Sequence, residues 1–275
     1  MRVKTVSVLG CGWLGLPLAA HLVRQGFKVK GSTTTPEKLT LLEDHGIEPF
    51  LASFPETEPK THLPDFLTTD VLVFNIPPSK SSRTDYLNVL ESVLQALPAT
   101  VQQVVFVSST SVYPNSDSEK GLTEADAVAS PAAETLMLQC EALVQTYFPE
   151  NYTILRFGGL MGGTRHPGKF LAGKTGVGQP QGPVNMIHLA DCVQILTQVI
   201  LQGKTRLTLN ACAPHHPTRE EFYIAAAKKL NLSPPSFDHT SPVQSKVIHS
   251  DLLVKELGYQ FIYPDPVGCL DAPDF

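Results

Sequence analysis

The stretch VLGCGWLGLPLAAHL, residues 8–22, constrains this chain more than any other. An apolar, β-branched run (VKTVSVL, residues 3–9) ends at Gly10, Gly12 and Gly15. A helical pattern with Leu14, Leu18 and Leu22 on one face opens directly behind it, over residues 13–25. G-x-G-x-x-G between a strand and a helix is a specific arrangement. The first glycine permits a tight turn, the second lets a pyrophosphate approach the backbone, and the third lets helix and strand pack closely. The helix N-terminus adds N–H groups and the positive end of its dipole. Gly10, Gly12, Trp13, Leu14 and Gly15 are therefore expected to hold a dinucleotide.

The same alternation continues to residue 157. FKVKG (27–31), IEPFLAS (47–53), DVLVFNIP (70–77), QQVVFVSS (102–109) and YTILRF (152–157) read as strands. Residues 36–46, 84–97 and 131–147 between them read as helices. This predicts an α/β fold: a Rossmann doubly wound parallel sheet with helices on both faces. After Phe157 the pattern changes. GGLMGGTRHPGKFLAGKTGVGQPQGP (158–183) reads as a long loop bordering a pocket. PVNMIHLADCVQILTQVIL then gives a strand and a helix, and PTREEFYIAAAKKLNL a late helix. The expected division is a nucleotide-binding domain over 1–157, with 184–212 returning to it. Residues 158–183 and 213–275 are left as a small C-terminal substrate region.

The second strand bears on the choice of cofactor. An NAD site usually ends that strand with an acid that takes the ribose hydroxyls. Here KVKGSTTTPEKL has no acid from Lys28 to Pro36. Ser32, Thr33 and Thr34 offer hydroxyls and Lys38 a cation, a set suited to a 2′-phosphate. NADP is favoured over NAD.

Net charge narrows the partners. At -5 the chain lacks the basic balance that nucleic acid requires. No apolar run is long enough to span a bilayer, and MRVKTVSVLG lacks a cleavable-leader pattern, so a cytoplasmic protein with a small-molecule substrate is expected. Both monomer and homodimer stay open. Cys11, Cys140, Cys192, Cys212 and Cys269 are scattered, without a Cys-x-x-Cys pair, and the adjacent His215 and His216 read as a turn, so no metal site is expected.

Four later segments carry a resemblance. VVFVSSTSVYP resembles the Ser-Ser-x-x-Val-Tyr segment of the extended short-chain dehydrogenases/reductases, the NAD-dependent epimerase/dehydratase family. ILRFGGLMGGTR, PVNMIHLADCVQIL and ELGYQFIYPD are similar to further segments of that family, in the same order. The resemblance implies that Ser109 binds the reacting oxygen, with Ser108 beside it in the cofactor set. It also implies that the backbone at Asn75, Ile76 and Pro77 passes beside the cofactor's ribose. The family's chemistry uses a Tyr-x-x-x-Lys pair, in which the lysine lowers the tyrosine's pKa. Matching the family's downstream glutamate to Glu141 puts Ala133 at the tyrosine and Met137 at the lysine, and neither moves a proton.

Other groups stand near enough in sequence to be candidate substitutes. Glu134 lies one residue from the tyrosine position, about 100° away around a helix. Tyr113 reads as a pocket wall. Arg165 and His166, with Lys169, could bind an anionic substrate or donate a proton, or be solvated loop charges. His188 reads as a hydrogen-bonded structural histidine, and Asp191 as the residue that orients its segment. Three functions follow. The first is an NADP-dependent oxidoreductase or epimerase with a non-standard proton relay. The second is a redox-inactive NADP-binding sensor. The third, resting on GCGWLGLPLA and TTTPEKL, is a β-hydroxyacid dehydrogenase.

Overall fold

The computed structural model describes residues 4–52, 63–78, 83–115, 120–242 and 245–273. β1 (Thr5–Leu9) feeds the glycine turn; α1 (Gly15–Arg24), β2 (Lys28–Thr33), a 3-10 turn over Pro36–Lys38, α2 (Leu39–Asp44) and β3 (Glu48–Leu51) follow. Next come α3 (Leu63–Leu67), β4 (Val71–Phe74), α4 (Arg83–Ala96), β5 (Gln103–Ser109), α5 (Leu136–Tyr147) and β6 (Tyr152–Phe157). β7 (Gly159–Met161), α6 (Gly168–Leu171), β8 (Met186–His188), α7 (Leu189–Gln202), β9 (Leu207–Ala211), α8 (Arg219–Lys229) and α9 (Asp251–Leu257) complete the order.

Seven strands form one sheet in the order β3-β2-β1-β4-β5-β6-β9. Each successive pair from β3 to β5 is parallel, with Val8 opposite Gly31 and Leu9 opposite Phe74. The chain leaves β1 in one direction and returns on its other side at β4. That reversal makes the carboxyl end of β1 the switch point, where doubly wound folds bind their ligands. β4 is buried at every position, as expected of a central parallel strand. The Rossmann architecture expected from the alternation is the one observed.

Two local expectations change. α5 starts at Leu136 rather than 131, because Thr135 Oγ1 accepts from Leu138 N at 3.4 Å and caps the helix there. The stretch 158–183 is not one loop, since it contains β7 and α6. Its glycines allow β7 to form beside β8: a Cβ at Gly158 would lie 2.6 Å from Asn185 O, and one at Gly159 would lie 2.5 Å from Met186 Sδ. The chain groups into two compact units. One compact unit holds 1–108, 128–155 and 196–208; the other holds 109–127, 156–195 and 209–275. Residues 109–127 and 184–195 group with the C-terminal segment because buried polar bonds, described below, tie them to it.

In the first unit, α1 packs close to the turn that precedes it. A Cβ on Gly15 would sit 2.1 Å from Gly10 O, a backbone atom that cannot swing aside. Gly12 has nothing within 4 Å of such a Cβ. Gly15→Ala is therefore expected to cost about 1–3 kcal/mol by overpacking, and Gly12→Ala to stay within about 0.5 kcal/mol. Urea unfolding of the two variants checks this, and equal midpoints would contradict it.

Candidate functional site

Gly10 stands at the junction of three strands. Its φ of +101° suits glycine, its N–H donates to Ser32 Oγ at 2.9 Å, and its carbonyl accepts from Asn75 Nδ2 at 3.0 Å. Cys11 N donates to Ser32 O at 2.7 Å, and Gly12 N turns back to Gly10 O at 2.9 Å. The ends of β1 and β2 and the residue after β4 are thereby fixed around Gly10. Behind it Gly12 is exposed, Trp13 half-buried and Leu14 buried. α1 begins with no side-chain cap and no acid in its first turn. Open backbone at Gly12, an uncapped helix end and the absence of like charge together fit the pyrophosphate of a dinucleotide.

The end of β2 is less open than its sequence suggested. Ser32 is buried with its oxygen accepting from Gly10, and Thr33 is buried with Oγ1 accepting from Thr35 N at 3.2 Å. Thr34 and Lys38 are exposed. Asn75 is half-buried, Ile76 O accepts from Tyr86 Oη at 2.7 Å, and Pro77 is exposed. Ser108 is buried, and its hydroxyl donates to Glu141 Oε1 at 2.6 Å, a carboxylate with no solvent exposure.

Ser109 opens the second unit. It is half-buried, and its Oγ accepts from Ser111 N at 3.1 Å, capping the 3-10 turn Thr110–Val112. Its hydroxyl proton is still available to donate. Tyr113 is not a pocket wall. It is 2% exposed, donates to Asn210 Oδ1 at 2.7 Å and accepts from Arg156 Nη1 at 2.8 Å. Burial raises its pKa against the opposing pull of Arg156. Arg156 is itself buried and also donates to Ala127 O at 2.9 Å and Glu124 O at 3.3 Å. This network makes Tyr113 a core strut.

Arg165 and His166 also belong to the second unit. Arg165 is exposed, and its backbone pairs with Gly162 in both directions, at 3.0 and 3.2 Å. His166 is not a solvated charge: it is buried, and Nδ1 accepts from Gly168 N at 3.0 Å, holding the start of α6. Burial lowers its pKa, and the nearby Lys169, itself exposed, lowers it further. His188 is fully buried, its Nδ1 accepting from Ala190 N at 3.2 Å and its ring 4.2 Å from that of Tyr263. Asp191 accepts from Tyr259 Oη and Ile262 N, both at 2.7 Å, and from Tyr263 N at 3.1 Å. One carboxylate thus secures the segment 259–263.

Ala133 and Glu134 precede α5, so a helical angle between them has no meaning. Their carbonyls accept from Arg83 Nη2, at 3.2 Å and 2.5 Å. Met137 is buried. Sequence reasoning missed Arg83, Asn185 and Lys246. Arg83 and Lys246 lie outside the motifs, Asn185 is an unremarked position of PVNMIHLADCVQIL, and each acts on a partner far along the chain. All five cysteines are buried, and none is in a disulfide. Among the described residues no helix is long and apolar enough to cross a membrane.

A parallel seven-stranded sheet with a glycine turn at its switch point and a Ser-Ser-x-x-Val-Tyr strand end defines a protein of epimerase/dehydratase architecture. The chain belongs to the family of protein YeeZ of Escherichia coli K12, to which it is 33% identical over 276 residues, covering 96% of this chain and 98% of that one. No family model matches. A Methylobacillus flagellatus structure assigned as an NAD-dependent epimerase/dehydratase is similar at 27% identity and a TM-score of 0.72, covering 97% of this chain and 96% of that one. MoeE5 in complex with UDP-glucuronic acid and NAD shares the fold at 19% identity and a TM-score of 0.73, covering 96% of each chain. The human epimerase family protein SDR39U1 (isoform 2) with NADPH shares it at 17% identity and a TM-score of 0.69, covering 97% of each.

His166 generates a pH dependence. Its pKa is lowered in the folded chain, so below the unfolded value of about 6.5 protons bind the unfolded chain more tightly and stability falls. The bond from Gly168 N also needs Nδ1 unprotonated. His166→Gln is expected to shrink the loss of stability between about pH 7.5 and 5.5. Urea midpoints at the two pH values measure this, and an unchanged difference would contradict it.

Proposed function

We propose that this chain is an NADP-binding oxidoreductase or epimerase of the epimerase/dehydratase type. It acts on a small anionic substrate with a proton relay other than Tyr-x-x-x-Lys. The observation that carries the reading is the open backbone at Gly12 beside the uncapped start of α1. Gly10 and Gly15 hold that surface in shape, and the N-terminus of α1 receives the pyrophosphate. Exposed Thr34 and Lys38, with no acid from Lys28 to Pro36, favour a 2′-phosphate over bare ribose hydroxyls. The neighbours with NAD and with NADPH support a nicotinamide cofactor of either kind. When bound, the nicotinamide supplies hydride exchange. Ser109 would hold the substrate's reacting oxygen through a hydrogen bond from its hydroxyl.

A second reading, a redox-inactive sensor, is favoured by Ala133 and Met137. No tyrosine anywhere in the chain is followed four residues later by lysine. Losing a positioned general acid–base costs about 10²–10⁴ in rate, so turnover requires another proton route. The β-hydroxyacid dehydrogenase reading needs a mostly helical domain after β6, whereas the chain continues into β7, a short α6 and β8.

Thermal unfolding with NADP⁺, NADPH, NAD⁺ and NADH in parallel tests the reading. At about 100 times Kd, a ligand of the folded state adds roughly 2.7 kcal/mol. The phosphorylated pair is expected to raise the melting temperature more than the other pair, and Gly12→Ala to abolish the rise. No rise with any of the four would overturn the reading. Hydride transfer from NADPH in a substrate screen separates the enzyme from the sensor.

A further inference from the structure

Lys246 lies outside every motif. It is half-buried, and its Nζ donates to Tyr113 O at 2.6 Å. Among the described residues it makes no ion pair. An ammonium has three donors, and a backbone carbonyl satisfies one of them. Burying a cation is costly unless a counter-charge offsets it. Burial lowers the pKa of this amine, against a smaller upward pull from the Cys212 thiol.

The backbone around Lys246 is braced from two sides. Asn185 grips its backbone from one side, Nδ2 donating to Lys246 O at 2.5 Å and Oδ1 accepting from Ile248 N at 2.8 Å. Leu122 pairs with the residues that follow, its N donating to Val247 O at 2.7 Å and its carbonyl accepting from His249 N at 2.9 Å. At the far end, Tyr113 is anchored through its hydroxyl to Asn210 and Arg156. Fixing a charged group through its supporting contacts is how a binding site is pre-organised. The turn that Lys246 touches is the one that Ser109 caps.

We propose that Lys246 is the anion receptor of the substrate site, its free N–H groups taking a carboxylate or phosphate oxygen of the molecule whose reacting oxygen meets Ser109. This rests on the reading of Ser109 above and adds the substrate class: a small molecule carrying an oxyanion near the group that reacts.

Amide NMR of the ¹⁵N-labelled full chain, titrated separately with inorganic phosphate and with acetate, tests this. Saturable shifts are expected over residues 109–115 and 245–249, and Lys246→Met is expected to weaken the affinity about tenfold or more. Lys174→Met, at an exposed lysine, is expected to change nothing. Saturation by phosphate points to a phosphoester substrate and saturation by acetate to a carboxylate, and either supports the proposal. No saturable shift in the unaltered chain, or equal affinity in Lys246→Met, would overturn it. NADPH-induced thermal stabilisation, measured on the same samples, is expected to survive in Lys246→Met, so failure of the anion site and failure of the cofactor reading remain distinguishable.

Discussion

One residue, Gly10, organises the carboxyl end of the sheet around β1. Its amide is fixed by Ser32 and its carbonyl by Asn75, so β1 is tied to both of its neighbours at the point where the chain must turn. Each bond contributes only about 0.5–1.5 kcal/mol. Their value is geometric: with both sides of Gly10 held, Gly12 has one place to be, and α1 starts against the turn with no room for a side chain at Gly15. Ser32 does this work from within β2, which is why a residue expected to face the cofactor is buried. The outward hydroxyl and cation come later, at Thr34 and Lys38.

The second unit is organised by buried charge. Arg156 gathers Tyr113, Glu124 and Ala127, and Asp191 gathers Tyr259, Ile262 and Tyr263. A charge buried this way is tolerated because several donors or acceptors converge on it. Removing any one partner leaves the charge short. The same bonds position the functional candidates. Arg156 anchors the Tyr113 turn on which Lys246 rests, and β8 carries His188 against Gly162, where a Cβ would lie 2.6 Å from Nε2.

What was legible in the sequence is what depends on neighbours in the chain. The alternation of strands and helices, the glycine turn and the β5 terminus are local patterns, and the observed fold follows them. The start of α5 was misplaced because Thr135 overrides an apolar pattern that runs through Pro131. β7 was missed because its pairing with β8 is a long-range contact permitted by two missing side chains at Gly158 and Gly159. Tyr113 was read as a wall because its partners Arg156 and Asn210 are 43 and 97 residues away. Lys246 and Asn185 gave no signal for the same reason: Lys246 reaches back 133 residues to Tyr113, and Asn185 reaches forward 61 residues to Lys246.

The central claim is that the Gly10–Gly15 turn holds a nicotinamide dinucleotide, and the chain carries its own reporter. Its single tryptophan, Trp13, lies inside that turn. Titrating NADPH while exciting tryptophan should quench Trp13 emission and raise nicotinamide emission by energy transfer. Both signals should saturate together, and neither should appear in Gly12→Ala. Tryptophan emission that stays unchanged up to concentrations that saturate ordinary dinucleotide sites would contradict the claim.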